Sequence, residues 1–279
     1  NILKGDFFTV TSKKEKTCLP LSGNCYLVTD TESTLRKRMK EDKYYIRSYS
    51  KNKPYSGYYV STKLWVGDYV NGETFEELGQ RATGIERIAV MRADVDNLGQ
   101  AFVRGFENEK NGSKYVTLSR TATFSRKLSM FFKYHINSIL KEGGYSILEE
   151  ESQMEKEDDK RNALIVYSGG DDIFIVGAWD DIIGFAVDLH DNLMEYSQDT
   201  LKISAGIGIY PSKYPISIMA RETGRLEEAA KSVEGKNAVA LFDEKYTFPW
   251  EEFIENVVEE KLYFIQKYFK VVDEKGKNF

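Results

Sequence analysis

The sequence is poor in several residue types, and each shortage narrows the possibilities. Only 2 of its 279 residues are Cys, at Cys18 and Cys25, too few for a disulfide-stapled scaffold. Only 5 are Pro, and with 41% hydrophobic and 30% charged residues the composition is not collagenous, low-complexity or disordered. No run approaches the ~18 consecutive apolar residues of a membrane-spanning helix. Residues 1–6 have neither the basic start and apolar stretch of a secretory leader nor a transit-peptide composition. The expectation is a soluble, cytoplasmic, globular chain with no membrane association, large enough for one big domain or two modest ones. It starts at Asn1 rather than Met, which suggests a piece of something longer.

What is present is unevenly distributed. Residues 1–63 carry 13 Lys or Arg against 6 Asp or Glu, a net of +7, although the whole chain is at −5. The remainder is therefore acidic, at −12. The basic stretch is studded with Tyr44, Tyr45, Tyr49, Tyr55, Tyr58 and Tyr59. Such a surface can track a phosphate backbone and stack on bases. The plainer reading is a small β-rich module with half-buried tyrosines and solvated lysines, and the general behaviour of charge runs favours it. The acidic remainder suits a carboxylate metal site better than a nucleic-acid coat.

Periodicity and turn residues predict short strands over 7–10, 26–29, 44–49 and 57–60. A small basic β-rich linking domain (1–63), a connector (64–84), a main domain (85–245) and a helical tail (246–279) follow as the expected organisation. The connector holds a short helix at Phe75–Leu78. The main domain opens with a strand at 87–93 ending in Asp94-Val95-Asp96, followed by a helix within 115–141. The acidic run 149–160 reads as an exposed loop. Strands at 163–167 and 173–176 flank a turn, and a helix at 180–196 with Asp180 as N-cap follows. A strand at 202–209, a helix at 216–233 closed by Gly235, a last strand at 238–242 and a helix at 250–269 complete it. This order predicts an α+β fold, a ferredoxin-like βαββαβ domain with an antiparallel sheet and helices on one face.

In that topology the first strand and the hairpin are neighbours, so Asp94 meets Asp171 and Asp172. Hard divalent ions such as Mg²⁺ take carboxylate oxygens and keep waters and substrate phosphates as remaining ligands. Two such ions ~3.5–4 Å apart can activate a 3′-hydroxyl and steady a leaving pyrophosphate. Gly169 and Gly170 permit backbone angles and a phosphate approach that a Cβ would block. Gly-Gly-Asp-Asp is also an ordinary turn composition, and only its conjunction with an acidic strand end lifts it above that. Lys231 and Lys236 could neutralise a triphosphate, although a lysine near a helix end and a glycine cap are equally ordinary.

The segments Arg92-Ala93-Asp94-Val95-Asp96-Asn97-Leu98-Gly99, Ser168-Gly169-Gly170-Asp171-Asp172 and Gly235-Lys236-Asn237-Ala238-Val239 together resemble one known family. It is the second Palm domain of the large polymerase/cyclase subunit of type III CRISPR–Cas effector complexes, most like the type III-A (Csm) branch, over residues 64–245. The resemblance implies synthesis of cyclic oligoadenylate from ATP when the assembly, with its CRISPR RNA and partner subunits, binds target RNA. It further implies that Asp94, Asp171 and Asp172 hold two Mg²⁺ or Mn²⁺ ions and that Gly169 and Gly170 admit the triphosphate. Ser168 would lie beside the nucleotide, and Lys231 and Lys236 would bind phosphate. Asp96 stays open between a site residue and a strand-end turn residue.

The family's subunit also carries an HD-type nuclease domain and a first Palm, and neither is recognisable in these residues. His190-Asp191 sits in an amphipathic helix without further ligands, so single-stranded DNA cleavage is not expected. Linking domains of the family can carry zinc, but two cysteines without a nearby histidine do not complete a four-ligand site, which leaves Cys18 and Cys25 as free thiols. Two other readings compete. One is diguanylate-cyclase-like chemistry on GTP, against which Asp172 stands where that family has Glu. The other is a non-catalytic scaffold or RNA-sensing module that keeps the Palm for docking.

Overall fold

The computed structural model describes residues 5–52, 62–107, 110, 112–147 and 160–268. The chain divides into two units, Asn1–Val66 and Gly67–Phe279.

The first unit is built on β1 (Phe7–Thr11), β2 (Leu19–Pro20), β3 (Tyr26–Asp30), β4 (Tyr45–Lys51) and β5 (Thr62–Leu64). They form one sheet in the order β2-β3-β1-β4-β5. The expected strand over 57–60 lies outside the described residues. A helix that sequence reasoning did not foresee, α1 (Glu32–Glu41), starts at a capping box between Thr31 and Thr34 and buries Leu35 alone. Arg38 of this helix pairs with Asp30 at 2.9 Å, Glu15 at 2.5 Å and Asp42 at 3.2 Å, tying helix, strand and loop together. Cys18 and Cys25 are free thiols.

The second unit contains β6 (Ile88–Val95), β7 (Ala163–Gly169), β8 (Asp172–Ala178), β9 (Ile203–Tyr210), β10 (Ala238–Leu241) and β11 (Thr247–Pro249), in the order β11-β10-β9-β6-β8-β7. The four strands β9-β6-β8-β7, from the interior of the sheet to its β7 edge, are each antiparallel to their neighbours and are the ferredoxin-like sheet that the element order predicts. The strand at 238–241 is not the last: β11 turns back antiparallel beside it. On one face lie α4 (Leu118–Met130), its continuation through a wide π turn (Phe131–His135) into α5 (Ile136–Glu142), and α6 (Trp179–Ser197). Met91, Phe132, Ile175, Phe185 and Trp250 belong to the core buried there. Ala178, not Asp180, occupies the N-cap of α6; the Asp180 carboxylate instead accepts a hydrogen bond from the Thr83 backbone N–H at 3.3 Å.

The expectation of helices on one face needs correction. α2 (Phe75–Gln80) and α7 (Ile216–Ser232) cover the opposite face, over Ile88, Val90, Val176 and Tyr210. α7 links β9 to a parallel β10. The cause is local: a Cβ at Gly206 on β9 would fall 2.3 Å from the Glu227 nitrogen and 2.7 Å from the Thr223 oxygen. The bare strand therefore lets the backbone of α7 lie directly on the sheet. The connector runs along the edge of β7, where the Ile165 N–H donates to the Tyr69 carbonyl at 3.0 Å and the Asn71 N–H to the Ala163 carbonyl at 2.9 Å.

Candidate nucleotide and metal site

β6 carries Arg92 and Asp94 on the face that α7 covers, because Ala93 and Val95, which alternate with them, point to the other core. In register, Asp94 stands opposite Asp172 on β8 and Ser204 on β9. The turn joining β7 to β8 is Gly170-Asp171, with Gly170 in the left-handed region at φ +73° and open space where a Cβ would be. The Val95 N–H donates to the Asp171 carbonyl at 3.2 Å, fixing that turn against the end of β6. The topology thus brings Asp94, Asp171 and Asp172 to one strand end.

Burial, together with the charges of Asp94 and Asp172, holds the Asp171 carboxyl above the ordinary carboxylate range. Lys231 from α7 reaches the same place, its Nζ 2.5 Å from Asp94 Oδ2 and 2.6 Å from Glu227 Oε1. Arg92 Nε closes the chain of charges on Glu227 at 3.0 Å. Burial works against the Lys231 charge, but the bonds to Asp94 and Glu227 outweigh it and hold its pKa above the usual lysine value. Glu227 is an i,i+4 neighbour of Lys231, a spacing visible in the sequence; Arg92 was not foreseen as its partner.

Lys236 lies in the loop between α7 and β10, and its Nζ donates to Asn97 Oδ1 at 2.9 Å. Ser168 is turned elsewhere. A bulge between Ile165 and Tyr167 shifts the register of β7, so Ser168 pairs with Ile173 and its hydroxyl donates to the Phe132 carbonyl in the π turn. The same bulge puts Tyr167 on the carboxylate face, opposite Phe174. The Asp172 carboxylate beside it pushes the Tyr167 hydroxyl up, and a Cβ on Gly169 would meet that hydroxyl at 3.2 Å. Asp96 is buried, with Oδ2 accepting from Ser204 Oγ and from the Asn237 N–H, each at 2.9 Å. His190 packs against Trp250, ring centroids 5.0 Å apart, and its ring Nδ1 bonds its neighbour Asp191 at 2.8 Å.

Among the described residues, no group of three or more His, Cys, Asp or Glu side chains is gathered into a ready-made metal cage. The carboxylates at the β6 end still fit a hard divalent ion that takes only one or two protein ligands and completes its shell with water and phosphate. The Lys231 ammonium stands on Asp94 at the same strand end.

A ferredoxin-like sheet ending in paired aspartates beside a Gly-Gly turn, with lysines reaching in from the flanking helix and loop, defines a Palm domain. The family described as Cas10/Cmr2, second palm domain, matches residues 87–240, more than half of the chain, and the chain belongs to that family. Over 233 residues, 84% of this chain, it is 51% identical to the CRISPR system single-strand-specific deoxyribonuclease Cas10/Csm1 (subtype III-A) of Mycobacterium tuberculosis (strain ATCC 25618 / H37Rv). Among solved structures, the Csm1-Csm4 cassette in complex with AMPPNP is similar at a TM-score of 0.69 and 26% identity over 99% of this chain. The Csm1-Csm4 cassette in complex with cA4 is similar at 0.69 and 27% over 90%. The chain spans 28% of that relative's length and 38% and 36% of those two structures' chains. Among the described residues, no helix is long and apolar enough to cross a membrane.

Proposed function

We propose that this chain is the nucleotidyl-transferring Palm of a type III-A CRISPR effector subunit. It joins ATP molecules into cyclic oligoadenylate when the assembly binds target RNA, as part of antiviral defence. The observation that carries the reading is the register of Asp94 against Asp172 beside the Gly169-Gly170 turn, with Lys231 on Asp94. The similar Csm1-Csm4 cassettes that hold AMPPNP and cA4 support it. Partner subunits, one of them Csm4-like, and CRISPR RNA belong to the same proposal.

The chemistry is the displacement of pyrophosphate from the α-phosphorus of one ATP by the 3′-hydroxyl of another nucleotide. An oxygen–phosphorus bond forms, the bond to the bridging oxygen breaks, and the hydroxyl proton passes to water. Asp94, Asp171 and Asp172 would hold Mg²⁺ or Mn²⁺, two ions in all, which neutralise the phosphates and the developing charge. The protein's own part is positioning and electrostatics. The Gly169-Gly170 turn leaves backbone room for a triphosphate, since nothing crowds the Cβ position of Gly170. Lys231, poised between Asp94 and Glu227, is a compact positive charge within reach of both carboxylate and phosphate. Lys236 supplies a second charge from its loop.

The test is Asp172→Ala in the complete subunit assembled with its partners and target RNA, with ATP and Mn²⁺. Oligoadenylate and pyrophosphate formation should fall by on the order of 100-fold or more while assembly persists. Retention of metal-dependent ATP turnover would refute the assignment. GTP turning over as well as ATP would shift it to the guanylate reading.

A further inference from the structure

Between the aspartate that ends β6 and the lysine loop before β10 lies a second carboxylate that faces neither solvent nor the Gly-Gly turn. Asp96 is 6% exposed and held from three sides. Its backbone N–H donates to the Lys202 carbonyl at 2.8 Å, at the entry to β9. Its Oδ2 accepts from Ser204 Oγ on β9 and from the backbone N–H of Asn237, each at 2.9 Å. No other residue ties the end of β6, the start of β9 and the lysine loop through one side chain in the bonds described.

The loop it holds needs holding. Gly235, Lys236 and Asn237 follow one another in the left-handed region, at φ +82°, +56° and +51°. Non-glycine residues visit that region singly rather than in runs, because Cβ crowds the carbonyl oxygen. The strain persists only if the surroundings over-determine it. Asn237 is clamped at both backbone ends, its N–H by Asp96 and its carbonyl by the N–H of Trp250 at 3.1 Å. Trp250 is itself fully buried, with its indole N–H on the Ile203 carbonyl at 2.8 Å. Between these clamps, Lys236 is presented toward the end of β6, where its Nζ meets Asn97 Oδ1.

We infer that Asp96 is not a metal ligand but a positioning residue. It fixes the strained 235–237 loop so that the Lys236 ammonium stands at the mouth of the nucleotide site. The inference rests on the proposed nucleotidyl-transfer reading for the identity of the ligand, and on the bonds above for the mechanism. A buried carboxylate used as an acceptor for a loop N–H also explains the sequence: in Asp94-Val95-Asp96 the two acids, two residues apart at the same end of β6, serve different partners. Asp94 turns to α7, and Asp96 to the loop that follows it.

Three measurements on the chain and on the assembled subunit test this. Amide hydrogen exchange of residues 235–237 in the chain, with no nucleotide present, should speed up about tenfold or more in Asp96→Asn and in the milder Ser204→Ala. In the assembly, Asp96→Asn should raise KM for ATP about tenfold with kcat changed far less. The same substitution made on top of Lys236→Ala should add nothing, because both act through one ammonium. Binding of Mn²⁺ alone should be unchanged in Asp96→Asn. Additive losses in the double variant, unchanged exchange at 235–237, or weakened Mn²⁺ binding would each overturn the inference. If the wild-type assembly turns over no ATP, the functional reading fails, and the exchange experiment still decides whether Asp96 holds the loop.

Discussion

Gly206→Ala is the substitution that probes most directly how the fold makes the site. The new Cβ would fall 2.3 Å from the nitrogen of Glu227, 2.7 Å from Leu226 Cβ and 2.7 Å from the Thr223 oxygen. Two of those three atoms are backbone, so no rotamer change relieves the clash and α7 must lift from β9. Overpacking of a close-packed interior costs roughly 1–3 kcal/mol, and a clash with helix backbone belongs at about the upper value. For a unit of this size each kcal/mol lowers Tm by roughly 2–4 °C, giving a fall of about 6–12 °C by differential scanning calorimetry of the chain. The same lift carries Glu227 and Lys231 away from Arg92 and Asp94, whose contacts of 2.5–3.0 Å do not survive a shift of that order. Nucleotide binding should weaken along with stability. Gly170→Ala is the control: its φ of +73° costs roughly 1–2 kcal/mol, but nothing lies within 4 Å of the new Cβ. A Tm for Gly206→Ala within about 2 °C of wild type would refute the claim that the bare strand seats α7.

Three further outcomes follow from the geometry. Lys231→Met should cost about 1–2 kcal/mol at pH 7, the worth of a part-buried charged hydrogen-bond pair. Because Lys231 titrates above the usual lysine value, that contribution is complete at neutral pH and fades only as pH rises through its folded pKa, which denaturant titrations at pH 7 and at strongly alkaline pH would show. Asp171→Asn should raise Tm at pH 7. The folded chain holds the Asp171 proton more tightly than the unfolded chain does, so wild-type stability is lost as pH rises through that carboxyl's folded pKa, and the gain in the variant should vanish toward pH 3; an unchanged Tm at pH 7 would contradict the crowding. Ser168→Ala should lose about 1 kcal/mol through its bond to the Phe132 carbonyl while leaving KM for ATP in the assembly near wild type. A raised KM without loss of stability would return Ser168 to the nucleotide.

Much of the sheet was legible because its strands are continuous apolar runs closed by glycine and aspartate, and topology then made Asp94 and Asp172 neighbours. What the sequence hid has physical causes. α1 fully buries only Leu35, and α3 (Leu98–Arg104) spans seven residues and packs Leu98 and Ala101 only partly against the core, so each leaves too short an apolar pattern to stand out. The face chosen by α7 was hidden as well, although Gly206, a glycine inside a strand, is the mark of a close backbone approach. With that face unread, Lys231 could be assigned to phosphate but not to Asp94, and Arg92 was not foreseen as the partner of Glu227.

The hardest feature was a single extra residue. Strict alternation from Ile165, which faces the core, would place Tyr167 in the core and Ser168 among the carboxylates. The bulge at Val166 reverses both: Tyr167 comes to lie beside Asp172, and Ser168 is spent on the carbonyl of Phe132. A residue inserted at a strand edge therefore decides which of two neighbouring hydroxyls meets the acidic turn. It also joins that turn to the π turn in the helix beneath, since the carbonyl Ser168 caps lies in that turn. The Gly-Gly-Asp-Asp turn is thus held on one side by the end of β6 and on the other by a helix bond made through the residue just before it. A turn fixed at both ends is what a site that works by positioning requires.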